Sequence, residues 1–405
     1  MNDPYPPAPA HVQGRGSIGL FTYSTVPRGS VVHTAELADA LTDAGWSVTV
    51  YALSKDGAGF FRPLRARLVL VPAAATPPTT QALVAQRAAE LADYLVRRRP
   101  AHDVHHAQDC LSASGLLAAR ARGYPLTLAR TVHHVERFDD AYLADCQERS
   151  IRRAAVCFTV SAATRRDVAA SFGVDSVAVG NGVDCLRFEL CDARRVAAWR
   201  VSIDGAAAGA AHHPTILAVG GVEPRKNTVR LLRAFARVRA QHPHARLMIL
   251  GGATVLDHGA YRATFDAELS ALPAAVRAAV VELGVVSDDD VPALYRLADV
   301  VALPSLHEGF GLAALEALAA GVPVVASDQP PFTEFLDSSC ATLVDPRSDV
   351  SIADGLLRAA AAPASRRAAG QVRARSYSWP AVAAAHAPSY ERMIADARDA
   401  LHRSL

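Results

Sequence analysis

Residues 307–334, HEGFGLAALEALAAGVPVVASDQPPFTE, constrain the fold more than any other stretch of the chain. An apolar run over 300–303 reads as a buried strand that ends at Ser305. Gly309 and Gly311 then permit a tight turn, because glycine takes backbone angles that other residues avoid. A helix is expected over 312–320, closed by Gly321, Val322 and Pro323, with a β-branched strand over 324–326. Strand, turn, helix, strand is the unit that builds parallel sheets, and ligands sit at the carboxyl ends of such strands.

The turn also predicts chemistry. Amides at the start of the 312–320 helix lack intrahelical partners, and together with the helix dipole they favour an anion such as a diphosphate. Glu308 precedes that helix and Glu316 lies about one and a half turns into it, so the two carboxylates are not a touching pair. They are read as gripping two parts of one ligand, since a carboxylate accepts two hydrogen bonds from a vicinal diol such as a ribose or hexose presents. The plain alternative is a solvated helix with a glycine-rich start.

A second anion site is expected at VGGVEPRKN, residues 219–227. There a strand over 215–218 ends in Gly220-Gly221, and a periodic helix over 227–241 follows Arg225 and Lys226. Of 42 basic residues only Lys55 and Lys226 are lysines, so a lysine at this helix mouth points to a need for a compact ammonium. Taken alone, the basic pair reads more readily as a solvated helix start.

These segments, with LGVVSDDDVPALYRLADVVALPSLHEGFGLAALEALAAGVPVVAS and NGVD at 181–184, resemble the retaining glycosyltransferases of the GT-B fold, specifically a bacterial subgroup of family 4 (glycosyl transferases group 1). The resemblance covers nearly the whole chain. It implies an α/β architecture of two Rossmann-like, doubly wound parallel-sheet domains facing a central cleft, with the C-terminal helix crossing back to the N-terminal domain. It also implies that Glu308 contacts the donor sugar and Glu316 the ribose. Arg225 and Lys226 would neutralise the donor diphosphate beside Gly221, and the amides of Phe310, Gly311 and Leu312 would complete that cradle. The implied reaction moves a hexose-type sugar from a UDP- or GDP-sugar to a sugar, lipid-headgroup or other small acceptor. Configuration is retained, because the acceptor attacks from the face the diphosphate leaves. No cofactor or metal is expected, since 288–290 precedes Pro292 and reads as a helix start.

A chain of 405 residues exceeds what one core usually holds, so two domains are expected. The expected division is a disordered tail over 1–16, an acceptor-side domain over 17–203, a linker over 204–214, a nucleotide-sugar domain over 215–376 and a crossover helix within 377–405. The first domain should alternate strands (17–23, 47–52, 103–106, 126–132, 155–160) with helices (30–44, 81–98, 110–121).

Candidate groups in that domain follow its strands. TYSTVPRGSVVH, residues 22–33, places Gly29 at a helix mouth, as a donor contact for phosphate oxygens or a place for the acceptor; it lacks G-x-G-x-x-G, and the resembled family more often has Gly-Gly where this chain has Gly29-Ser30. In RTVHHVERFDD, residues 130–140, the Thr-x-His pattern matches a family histidine near the reacting carbon, which carries onto His133; His134 and Glu136 are lesser acceptor-side candidates. DVHHAQD, residues 103–109, has Gln108 where the family often has a second histidine, and Asp109 either orients the acceptor or caps the next helix.

Half of the residues are apolar and the net charge is +2, which suits a globular enzyme and excludes a typical nucleic-acid binder. The first residues lack the pattern of a signal peptide, and no apolar run approaches the roughly 20 residues that span a bilayer. Arg97, Arg98 and Arg99 offer weak contact with an acidic membrane surface, though a solvated helix end is the plainer reading. Six cysteines without a C-x2-C pair indicate neither a zinc site nor a disulfide scaffold; they read as buried, inert thiols in a cytoplasmic protein. A nucleotide-sugar epimerase or phosphorylase of the same fold, and a non-catalytic sugar-nucleotide-binding module, remain as alternatives. A nicotinamide oxidoreductase is disfavoured by the first loop. The residues assign neither acceptor, donor base nor oligomeric state.

Overall fold

The computed structural model describes residues 15–55, 57–204, 214–252 and 259–404. The expected tail over 1–16, apart from its last two residues, lies outside the described residues, as does the expected linker over 204–214 between its ends. Contacts divide the chain into two units. One runs to Gly180 and resumes at Trp379, and the other is Asn181–Ser378.

The first unit comprises β1 (Ser17–Thr22), α1 (Gly29–Asp43), β2 (Ser47–Lys55), β3 (Arg67–Ala73), α2 (Thr80–Arg98), β4 (Val104–Ala107), α3 (Cys110–Ala121), β5 (Leu128–Val132), α4 (Ala141–Arg152), β6 (Val156–Thr159), α5 (Ala162–Phe172) and β7 (Val177–Ala178). Its seven strands are parallel in the order β3-β2-β1-β4-β5-β6-β7. Every residue of β1 is buried, as expected of a central strand covered on both faces. Phe21, Tyr51, Leu91, Leu95, Leu116 and Leu128 form the core on one face.

The second unit comprises α6 (Cys185–Glu189), α7 (Ala193–Asp204), β8 (Thr215–Val219), α8 (Thr228–Gln241), β9 (Arg246–Leu250), α9 (Gly259–Ala271), α10 (Ala274–Arg277), β10 (Val280–Gly284), α11 (Val291–Leu297), β11 (Val300–Leu303), α12 (Leu312–Ala319), β12 (Val324–Ser327), β13 (Ala341–Val344), α13 (Asp349–Ala360) and α14 (Ala364–Arg375). Six parallel strands take the order β10-β9-β8-β11-β12-β13. Phe235, Leu247, Phe265, Val300 and Leu356 are among its buried core. The final helix, α15 (Trp379–Ser404), belongs to the first unit and packs on α1 and β4.

The expected strands and helices are present, with ends shifted by a few residues. The edge strands β3 and β7 were not anticipated: β3 carries Pro72, which only an edge tolerates, and β7 is two exposed residues long. Residues 181–203 lie with the second unit, where sequence segmentation put them in the first. The physical reason is that α6 and α7 pack on α11 and α12, while Arg187 pairs with Asp288 at 2.9 Å and Arg195 with Asp290 at 2.6 Å. The acidic run 288–290 is a short 3-10 turn leading into α11, in keeping with the expected helix start.

All six cysteines are free; Cys146, Cys157 and Cys340 are buried, but Cys110, Cys185 and Cys191 are partly exposed because they stand at or beside helix ends. No described helix is long and apolar enough to cross a membrane.

Candidate functional site

In the second sheet the chain leaves β8 for β9 on one side and takes up β11 on the other. Such a reversal opens a crevice at the carboxyl ends of the strands. Gly220 and Gly221, at the end of β8, have φ of +121° and +72°. A Cβ on Gly221 would meet the Gly252 carbonyl oxygen at 3.0 Å, and one on Gly220 would collide with the Lys226 side chain. The glycine pair therefore allows the lysine stem to lie flat across the strand end.

Asn227 then takes a left-handed φ of +61°, and its buried amide donates to the carbonyls of Pro304 (3.0 Å) and Pro346 (2.7 Å). The Leu306 amide donates to the Arg225 carbonyl at 2.7 Å. Ser327 Oγ donates to the Ser305 carbonyl at 2.6 Å, and Gln329 Nε2 to the Leu306 carbonyl at 2.7 Å. The loops after β8, β11 and β13 are thus tied together.

This tying brings Arg225, Lys226 and Glu308 into contact. Glu308 Oε1 accepts from Lys226 Nζ and from Ser305 Oγ (2.9 Å), and Oε2 accepts from Arg225 Nη1 (3.1 Å). Arg225 Nε also lies 3.0 Å from Glu223, whose side chain is buried. Burial alone would raise the Glu308 carboxyl, but the charges of Lys226 and Arg225 and their hydrogen bonds override it and hold it at about 2. Burial draws the Lys226 ammonium below the ordinary lysine value, against the pull of Glu308. The crevice therefore sets Arg225 and Lys226 against the carboxylates of Glu308 and Glu223.

Gly311 precedes α12 with φ +103°, and a Cβ there would meet Phe332 Cε1 at 2.5 Å. The Phe310 ring is buried and stacked on Phe335 at 4.9 Å, so it anchors the turn. Leu312 opens the helix, and the Ala314 amide donates to the Gly311 carbonyl at 2.9 Å. Glu316 makes no contact with Glu308; its Oε2 accepts from Tyr295 Oη at 2.5 Å. Burial raises Glu316 above the usual carboxylate value, opposed by that hydrogen bond.

The first sheet reverses at β1 and β4. Asp109 Oδ1 accepts from the Ser112 amide (2.6 Å), capping α3, and Oδ2 accepts from the Tyr23 amide (3.0 Å). Of the two readings left open for Asp109, capping is observed. Gly29 is the exposed first residue of α1, and a Cβ there would meet nothing within 4 Å. His133 follows β5 with its ring edge-on to buried His33 at 4.8 Å; its Nε2 is buried without a hydrogen-bond partner, and burial draws the ring well below 6.5, so it is neutral. His134 is exposed, with Nε2 3.0 Å from Glu136. The Glu136 amide and carbonyl bracket the Gln147 side chain, each at 2.9 Å.

Sequence reasoning missed Glu223, Ser305 as a partner of Glu308, and Tyr295. Each flanks or lies within a quoted motif, but the partners of Ser305 and Tyr295 are set by loop closure and helix packing. Among the described residues no group of three or more His, Cys, Asp and Glu side chains is arranged to hold a metal ion.

Residues 27–187 match the family model described as Glycosyltransferase Family 4, and residues 208–375 match that described as Glycosyl transferases group 1. The chain belongs to this glycosyltransferase family. It is a sugar-transferring enzyme of the GT-B fold acting on nucleotide-sugar donors. Among relatives, an MMP alpha-(1->4)-mannosyltransferase of Mycolicibacterium hassiacum is 30% identical over 329 residues, covering 74% of this chain and 73% of that protein. D-inositol 3-phosphate glycosyltransferase 2 of Catenulispora acidiphila is 29% identical, covering 98% of this chain and 96% of its own length. Sucrose-phosphate synthase from Thermosynechococcus elongatus has the same fold, with a TM-score of 0.75 at 20% identity over 94% of this chain and 99% of that one. So does Anabaena HepE in complex with UDP-glucose, with a TM-score of 0.70 at 18% identity over 95% and 100%.

Proposed function

We propose that this chain transfers a hexose-type sugar from a UDP- or GDP-sugar to a hydroxyl of a small polar acceptor, with retention of configuration and without a metal ion. The carrying observation is the Lys226–Glu308–Arg225 group at the switch point of the second sheet, beside Gly220-Gly221 and the loop that opens α12. In that group both cations contact Glu308. An arriving diphosphate draws Arg225 and Lys226 to itself and frees Glu308 to accept from a hydroxyl of the donor sugar.

As the bond between the anomeric carbon and the phosphate oxygen breaks, negative charge grows on the diphosphate. The two cations, with the amides of Phe310, Gly311 and Leu312, stabilise it more than they stabilise the ground state. The acceptor oxygen bonds the anomeric carbon from the same face, and its proton passes to the leaving phosphate oxygen. Glu316 takes the ribose hydroxyls. His133, neutral and with a buried ring nitrogen lacking a partner, is assigned to the acceptor side, where it can bond a hydroxyl. A polyhydroxylated acceptor, such as a sugar, a cyclitol or a lipid headgroup, is favoured by the names of the mannosyltransferase and D-inositol 3-phosphate glycosyltransferase relatives. Catalysis in the cytoplasm fits the supply of nucleotide sugars there.

Calorimetric titration with UDP, GDP and ADP, comparing the wild type with Glu316→Ala, tests the reading. One diphosphate should bind selectively and at least tenfold more weakly to the variant, about 1.4 kcal/mol. Absence of binding to all three, or equal affinity in the variant, contradicts the donor assignment. Release of the free diphosphate from the matching nucleotide sugar on adding acceptor then separates a transferase from a binding module.

A further inference from the structure

Tyr295 lies on α11 with its ring fully buried, and Phe188 of α6 packs edge-on against it at 5.4 Å. Its hydroxyl donates to Glu316 Oε2 at 2.5 Å. A phenol hydroxyl buried without an acceptor is costly, so the two groups need each other: the carboxylate satisfies the hydroxyl, and the hydroxyl fixes the carboxylate. The packing above the ring is itself secured. Asp184 Oδ1 accepts from the Arg187 amide at 3.2 Å and caps α6, while Arg187 pairs with Asp288 at 2.9 Å. Asp184, the last residue of the NGVD segment, thereby caps the helix whose Phe188 packs on the Tyr295 ring. Glu316 Oε1 accepts no hydrogen bond from the described residues, so the chain uses one carboxylate oxygen and leaves the other.

We infer that Tyr295 is a positioning residue for ribose recognition: it holds Glu316 Oε2, fixes the carboxylate in one rotamer and leaves Oε1 for the ribose diol. Preference for ribonucleotides over 2′-deoxyribonucleotides then depends on a hydroxyl that never meets the ligand. This rests on the assignment of Glu316 to the ribose. The electrostatics agree, since burial and the neighbouring carboxylate keep Tyr295 well above the ordinary tyrosine value and therefore a donor. Around Glu316 the hydrogen bond from Tyr295 and the charges of Arg187 and Lys226 favour the carboxylate, while burial and Asp288 oppose it.

The test is titration of wild type and Tyr295→Phe with the diphosphate that binds and with its 2′-deoxy counterpart. Tyr295→Phe should weaken the ribonucleotide about tenfold and the deoxynucleotide by less than about twofold. Its ribonucleotide affinity should also begin to fall at a higher pH on acidification, because a bond that favours the charged carboxylate is gone. In a Glu316→Gln background the tyrosine substitution should add almost nothing. Equal losses for both nucleotides, or an unchanged ribonucleotide affinity in a folded variant, overturn the inference and leave the donor site standing. A wild type that binds no nucleotide overturns the donor site and the inference with it. Should Tyr295→Phe not fold, Phe188→Leu, which loosens the ring but keeps the hydroxyl, should give a smaller loss with the same ribonucleotide selectivity; a loss equal for both nucleotides counts against the inference.

Discussion

Each parallel sheet opens a crevice where its strand order reverses, and the two crevices are furnished in opposite ways. At β8 and β11 the side chains are ionic and in contact: Arg225 and Lys226 converge on Glu308. At β1 and β4 both oxygens of Asp109 are engaged by the backbone, and His105 and His106 on β4, with His133 just after β5, are rings that burial keeps neutral. Arg130 on β5 is buried with Nε and Nη1 lacking hydrogen-bond partners. The same backbone geometry thus carries an ion-paired cluster at one crevice and, at the other, a capping carboxylate among buried rings and a buried guanidinium. Fold supplies the place, and a handful of side chains decides the chemistry.

The strongest way to break this comparison is to remove the acid from each crevice. Glu308→Ala leaves two cations crowded in a buried site and should cost about 3–5 kcal/mol of stability, along with most turnover. Asp109→Ala loses a helix cap and a loop clip and should cost about 1–2 kcal/mol. Denaturant melts of both variants would decide, and a costlier Asp109→Ala would reverse the contrast.

Acid provides a second probe. His102, His105 and His386 are drawn by burial from 6.5 to about 4, 3 and 3, so the unfolded chain binds their protons first. The stability they reflect is complete above pH 6.5 and is lost as pH falls toward those values. Glu308, lowered from 4.5 to about 2, keeps its contribution until the pH drops below 4.5. Hydrogen exchange followed down the pH scale should therefore show peptides of β4 and α15 opening before those of β8, β11 and α12. Simultaneous opening would remove the electrostatic distinction.

The helix mouths offer a third comparison. Gly311→Ala forces a side chain onto Phe332 at a left-handed backbone position and should cost about 1–3 kcal/mol, whereas Gly29→Ala meets open space and should change stability by less than about 0.5 kcal/mol. Urea unfolding of the pair sharpens where a glycine is required.

The second crevice was largely legible in the sequence, because β8, β11 and α12 are continuous apolar segments punctuated by glycine, and the charged residues sit at their ends. What was hidden depends on distance along the chain. Lys226 and Glu308 are 82 residues apart, and Tyr295 and Glu316 are 21 apart, so neither pairing has a local signature. The placement of 181–203 was hidden for the same reason: α6 and α7 are short, and they are held by packing on α11 and α12 and by ion pairs with 288–290, all distant along the chain. Asp109 was legible as a cap because capping is local, reaching three residues ahead.

One strand of the first sheet ties the beginning of the molecule to its end. His106, at the centre of the sheet on β4, is hydrogen-bonded through Nδ1 to Tyr390 of α15 and through Nε2 to Thr131, each at 2.7 Å. A ribosome delivers β4 long before it delivers Tyr390, with the entire second unit translated in between. The first unit must therefore wait, its central histidine half-served, until the last helix emerges. Gene fragments that stop near Gly180 should yield a sheet with an open seam, and a working half-molecule would need the final helix spliced back on.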